Sequence, residues 1–131
     1  MTMADSALGE WEVLFTPERI AAYARASGDN NPIHVDPQAA RRAGFPEVLA
    51  PGMLLMAHVE QAGAAWRRDR PILDFAARFV RPLLANQKGL LVARSMGPTG
   101  PGGGKAARFV LRTSPREIIC IADMTVGPER R

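Results

Sequence analysis

The stretch Ala50-Pro51-Gly52-Met53-Leu54-Leu55-Met56-Ala57-His58-Val59-Glu60-Gln61-Ala62-Gly63-Ala64-Ala65-Trp66 decides the fold. Pro51-Gly52 punctuates its start, and over residues 53–66 only His58, Glu60 and Gln61 are strongly polar. A helix that is apolar nearly all round belongs between other elements. The expectation is a buried helix over 53–66.

Outward from this helix the period changes. Beyond Pro71, Phe75, Ala77 and Phe79 alternate with Ala76, Arg78 and Val80, the two-residue repeat of a half-buried strand. Further strands are expected over 88–96, 105–113 and 117–126, with an opening strand over 11–15. The stretch Gly97-Pro98-Thr99-Gly100-Pro101-Gly102-Gly103-Gly104 reads as a turn between two of them. It lacks the Gly-Lys-Ser/Thr ending and the following helix that a phosphate loop needs. Upstream, Thr16 caps a helix with Pro17 in its first turn, which Gly28 ends, and Asp36-Pro37 opens a second helix that stops at Gly44. A helix followed by four strands, with a fifth before it, implies an α+β domain: one antiparallel sheet curved around a central helix. No linker divides the chain, so residues 1–131 are read as a single domain.

Composition narrows the partners. The chain carries a formal charge of +4, and 15 of its 17 positive residues are arginine, the lysines being Lys88 and Lys105. Such a balance suits an acidic partner. The arginines are dispersed, with no basic tail or aromatic-glycine RNA-binding signature, which argues against nucleic acid. One cysteine, Cys120 in the run Ile118-Ile119-Cys120-Ile121, excludes an intrachain disulfide and a site of paired cysteines, and reads as a buried small hydrophobe. The N-terminal residues show no basic and apolar secretory pattern, so a cytoplasmic location is expected. The most apolar stretch, 48–59, is broken by Pro51-Gly52 and is too short to span a bilayer.

Chemistry concentrates in the loop Ser27-Gly28-Asp29-Asn30-Asn31-Pro32-Ile33-His34-Val35-Asp36. A loop bent at Pro32 can turn the Asp29 carboxylate and the His34 imidazole toward one volume, where both could hold a water. The same residues also serve as ordinary turn formers and caps, and spacing alone leaves both readings open. A metal set of His34, Asp36 and His58 fits no compact ligand motif. At Gly52 a helix begins, and its first N–H groups carry the positive end of the helix dipole without intrahelical acceptors. Glycine admits close approach, so an enolate-like oxygen could be held there.

The loop from Ser27 to Asp36, followed by Ala39, Ala43, Gly44, Phe45 and then Ala50-Pro51-Gly52-Met53-Leu54-Leu55, resembles the MaoC-like family of (R)-specific enoyl-CoA hydratases and 3-hydroxyacyl dehydratases. Order and spacing both match, most strongly over residues 24–57. The resemblance implies a hot dog fold, a homodimer with its site near the subunit interface, and reversible syn hydration of a trans-2-enoyl thioester carried by coenzyme A or an acyl carrier protein, in fatty acid or polyketide metabolism. It implies no cofactor and no metal. Asp29 and His34 would activate the water, the Gly52 N–H would hold the thioester oxygen, and Asn31 would brace the loop.

Several residues depart from the family pattern. Pro51 stands where histidine is common. Glu60, on the helix face of Met53 and Met56, stands where a small hydroxyl residue is common, and would either act on Asp29 or pair with an arginine. Leu84-Ala85-Asn86-Gln87 replaces a Gly-Asp turn. Met53, Met56 and Glu60 are candidate substrate contacts. Arg78 and Arg81 are candidates for carrier phosphates, and Arg67, Arg68 and Arg70 form the densest basic cluster. The departures at Pro51 and Glu60 also keep open a non-catalytic acyl-binding or partner subunit, and a specialised dehydratase with an atypical substrate.

Overall fold

Local chemistry starts and stops each helix. In the computed structural model, which describes residues 7–130, the Thr16 hydroxyl accepts from the Arg19 N–H at 3.1 Å and opens α1, Pro17–Ser27. Gly28, at φ 75°, ends it by returning its N–H to the Ala24 carbonyl. That left-handed conformation suits glycine. The Asn31 side chain accepts from the Ile33 N–H and starts a 3-10 turn, Pro32–His34; Asp36 accepts from Gln38 N–H and starts α2, Pro37–Arg42.

The central helix α3 covers Gly52–Ala62, and a short α4 covers Ala64–Arg67. The single helix expected over 53–66 is interrupted at Gly63, where the chain passes directly over the Phe109 ring. A Cβ there would sit 2.9 Å from Phe109 Cζ.

Five strands follow the expected order: β1 Ala7–Val13, β2 Ile72–Phe79, β3 Gly89–Pro98, β4 Lys105–Ser114 and β5 Glu117–Val126. They form one antiparallel sheet in the order β1-β3-β4-β5-β2. The opening strand lies earlier than 11–15 because pairing with β3 stops at Val13↔Gly89, leaving Phe15 to plug the core.

Alternate residues Leu91, Ala93, Ala107, Phe109, Leu111, Cys120, Ala122 and Met124 are buried, so one face of the sheet carries the core. Its alanines leave room for Leu54, Leu55 and Val59 of α3. The helix is sunk on that flank only: Met53 is 63% exposed, and Ala57 is exposed too. Complete burial was expected, but the one sheet face covers one side of the helix. Strand β2 ends the sheet and carries exposed Leu73 and Phe79. Among the described residues no helix is long and apolar enough to cross a membrane.

Candidate active site

Two backbone ties fix the loop after α1 to the segment that leads into α3. The Leu49 N–H donates to the Ile33 carbonyl at 3.0 Å, and His34 Nδ1 lies 2.8 Å from the Leu49 carbonyl. A carbonyl only accepts, so Nδ1 carries a proton. In the neutral ring Nε2 is therefore an acceptor. It faces Asp29 Oδ2 at 3.5 Å, with the His34 side chain 12% and the Asp29 side chain 35% exposed. The other carboxylate oxygen of Asp29 accepts from the Asn31 N–H at 3.0 Å. Asn31 thus braces the loop twice, through its N–H to Asp29 and through its side chain to Ile33.

Two acceptors held 3.5 Å apart cannot satisfy each other directly. A water between them can donate one O–H to each, leaving its lone pairs free.

At the start of α3 the chain offers donors instead. No side chain caps this helix, and Pro51 supplies no N–H, so the first free N–H belongs to Gly52. An open cleft of about 360 Å³ brings the two features together, its lining including Tyr23, Ser27, Asp29, Gly52, Met53 and Phe79. The cleft can therefore hold a carbonyl oxygen at the helix start and a water beside the carboxylate.

A profile described as MaoC like domain matches residues 3–98. The chain belongs to the MaoC-like domain family. It is 42% identical over 83 residues to 3-hydroxyacyl-thioester dehydratase X of Mycobacterium tuberculosis, a match covering 63% of this chain and 29% of that protein. The chain thus spans under a third of that relative's length. Among solved structures it is similar to the (R)-hydratase from A. caviae involved in PHA biosynthesis, at TM-score 0.81 and 17% identity, over 98% of this chain and 99% of that one. It is also similar to a chain of the ChsH1-ChsH2 complex from Mycobacterium tuberculosis, at TM-score 0.83 and 17% identity, over 95% and 96%. This is the hot dog fold.

Within this MaoC-like chain the other candidate residues separate. Met53 lines the cleft with Gly52. Met56 is half-buried one turn further along, and Glu60 lies about 10 Å from Met53 along the helix axis. The Glu60 carboxylate accepts from Arg67 Nη2 at 2.8 Å, so its charge is met by an arginine. Arg81 lines a second cleft that also touches Gly52, whereas the register of β2 puts Arg78 opposite Ile121 and beside Arg108 and Asp123. That is the outer face of the sheet, separated from Gly52 by the sheet itself. The basic cluster is occupied by the fold: Arg67 holds Glu60, Arg68 meets Glu129 at 3.2 Å, and Arg70 donates to the carbonyls of Gly103 and Gly127.

His58 stands apart from the loop, its ring edge-on to Phe15 at 5.7 Å. Burial, and then the charge of Arg19, lower its pKa below the ordinary 6.5. Burial pushes the Cys120 thiol up to about 11, the behaviour of an inert core residue. Among the described residues no three His, Cys, Asp or Glu side chains converge as a metal site. The Leu49 carbonyl and the Phe79 ring are the parts of the site that residue types did not reveal. Alternation groups Phe79 with Phe75 and Ala77 on one face of a strand but gives no sign that its ring lies against Gly52.

Proposed function

We propose that this chain is a hydro-lyase that reversibly adds water, in the syn sense, to a trans-2-enoyl thioester, giving an (R)-3-hydroxyacyl thioester. The observation that carries the reading is the cleft shared by Asp29 and the Gly52 N–H, with His34 Nε2 3.5 Å from the Asp29 carboxylate. Family membership and the dehydratase relative support it.

In this reading the thioester oxygen accepts from the Gly52 N–H, which draws electrons from C3. The water between Asp29 and His34 gives a proton to Nε2 as its oxygen bonds to C3. The π pair moves toward the carbonyl, and the enolate oxygen is held at the start of α3, an effect worth about 3–4 kcal/mol in comparable sites. His34 then returns the proton to C2 from the same face. One group acting on one face makes the addition syn. Asp29 orients the water and stabilises the imidazolium; Asn31 keeps Asp29 in place.

The edge of the sheet supports a dimer. Strand β2 presents an unpaired edge among the described residues, with Leu73 64% exposed, and a second copy pairing there would extend the sheet and cover apolar surface. A cytoplasmic homodimer of single hot dog domains is the proposed form. A partner-subunit reading draws on the similarity to a chain of a two-protein complex.

The test is hydration of crotonyl-CoA, followed by loss of enoyl absorbance, with the wild type and with Asp29→Asn and His34→Ala. Each variant is expected to lose about 100-fold or more in kcat/KM. Undiminished hydration in both would refute the assignment, and an inactive wild type would favour the partner-subunit reading.

A further inference from the structure

Two features of the sequence lie outside the reaction: the basic cluster after α4 and the glycine-rich turn between β3 and β4. The fold brings them together. Arg70 Nη1 donates to the Gly103 carbonyl of the turn at 2.7 Å and to the Gly127 carbonyl at 3.2 Å. Gly103 lies just before the start of β4 at Lys105, and Gly127 follows Val126, the register partner of Lys105. The carbonyls that hold Arg70 therefore flank Lys105. Lys105 Nζ in turn donates to the Trp66 carbonyl at 3.1 Å and stands 4.7 Å from the centre of the Trp66 ring.

Charge is cancelled unevenly in this cluster. Arg67 and Arg68 each meet a carboxylate, Glu60 at 2.8 Å and Glu129 at 3.2 Å. Among the described residues Arg70 and Lys105 meet only carbonyls, which accept a hydrogen bond without cancelling a charge. Burial, then Arg70 and more weakly Arg68, hold the Lys105 pKa below the usual 10.5, against the pull of Glu129. Donors are left over as well. Nε and Nη2 of Arg70 have no protein partner, and neither is sealed from solvent: among the described residues the buried side-chain donor without a partner is Arg67 Nε, in the same cluster. A guanidinium fork and an ammonium, both uncancelled and both reachable, suit a doubly charged oxyanion.

We propose that Arg70 and Lys105 form a phosphate-binding site where the segment after α4 meets the glycine-rich turn. Nε and Nη2 of Arg70 take two oxygens of the phosphate group and Lys105 takes a third. The site is separate from the cleft at Asp29, because the 11 residues of α3 put about 16 Å of helix between Gly52 and the start of α4. It does not rest on the hydration reading. The group recognised is a phosphate dianion, whether free or carried by a phosphorylated small molecule such as coenzyme A.

The lysines of the chain are Lys88 and Lys105, so Lys88 serves as an internal control. The full chain is treated with a trace of acetic anhydride at constant ionic strength in chloride, inorganic phosphate or desulfo-CoA, and acetylation of each lysine is read by peptide mass spectrometry. A bound dianion favours the protonated amine, which does not react, so phosphate is expected to slow Lys105 about threefold or more and to leave Lys88 unchanged. Arg70→Gln is expected to raise the phosphate needed about tenfold. Protection by desulfo-CoA where inorganic phosphate at the same concentration has no effect supports the site with the carrier as its source; protection by inorganic phosphate alone supports it with the free anion. Protection by neither, equal protection of both lysines, or protection undiminished in Arg70→Gln overturns it. Should Arg70→Gln fail to fold, Lys105→Met takes its place. In a Trp11→Phe chain, where Trp66 is the remaining indole, phosphate is expected to change the emission saturably, and Lys105→Met to abolish that change. No change in emission, or a change that survives Lys105→Met, overturns the proposal.

Discussion

Gly52→Ala is the substitution whose effects on stability and activity the structure separates. A Cβ at this position would meet Phe79 Cζ at 3.0 Å and two further ring atoms at 3.2 and 3.3 Å. Those contacts are a few tenths of an ångström too close, but the neighbour is a half-exposed ring that can swing outward. Alanine also favours the helix, by up to about 1 kcal/mol in a helix interior and less in a first turn. The two effects oppose each other, so the net change in stability is expected within about 1 kcal/mol, or a few degrees in Tm. Activity has no such compensation. A methyl on Gly52 narrows the cleft that Gly52 and Phe79 line, and where it keeps the thioester oxygen from the Gly52 N–H the cost approaches that of losing such a donor, about 100- to 1,000-fold in kcat, or roughly 3–4 kcal/mol. Thermal melts and crotonyl-CoA hydration, measured on the same preparation, separate the two. Hydration within about twofold of the wild type would refute the placement of the thioester oxygen at the start of α3.

Three further outcomes follow from the core and the titrating groups. Gly63→Ala drives a Cβ to 2.9 Å from Cζ of the fully buried Phe109, so it is expected to destabilise by about 1–3 kcal/mol in a urea titration, with little change in m. The pKa of His58 is held below 6.5 in the fold, so the unfolded chain binds the proton first; stability should fall as pH drops from about 7 toward 5, and His58→Gln should flatten that slope of Tm against pH. Cys120, raised to about 11 by burial, should react with a disulfide reagent at about pH 8 only at the rate of unfolding, and at once in denaturant.

What could be read from residues was what local chemistry decides. Thr16, Asp36 and Gly28 mark helix ends because caps and left-handed turns act within three residues, and β4 and β5 follow from their alternation. The pairing of Asp29 with His34 was legible because both lie on one short loop and the resemblance singles them out. The tautomer of His34 was not, since it is set by the carbonyl of Leu49, fifteen residues away. Backbone acceptors leave no trace in residue type. For the same reason the partners of Arg67, Arg68 and Arg70 could not be read from their clustering: Arg70 donates to the carbonyls of Gly103 and Gly127. Glu60 was left between a role at Asp29 and an arginine partner, and Arg67, seven residues on, proves to be that partner. The interruption at Gly63 and the ring over Gly52 arise from sheet residues far along the chain, which helical periodicity cannot register.

The central claim is that Asp29 and His34 work one face of an enoyl thioester held at Gly52. The most direct measurement offers the purified protein (R)- and (S)-3-hydroxybutyryl-CoA separately and follows crotonyl-CoA formation, with the Asp29→Asn/His34→Ala double variant alongside. The account predicts crotonyl-CoA from the (R) enantiomer alone, and none above background from the double variant. Formation from the (S) enantiomer at a comparable rate, or undiminished formation by the double variant, would contradict it.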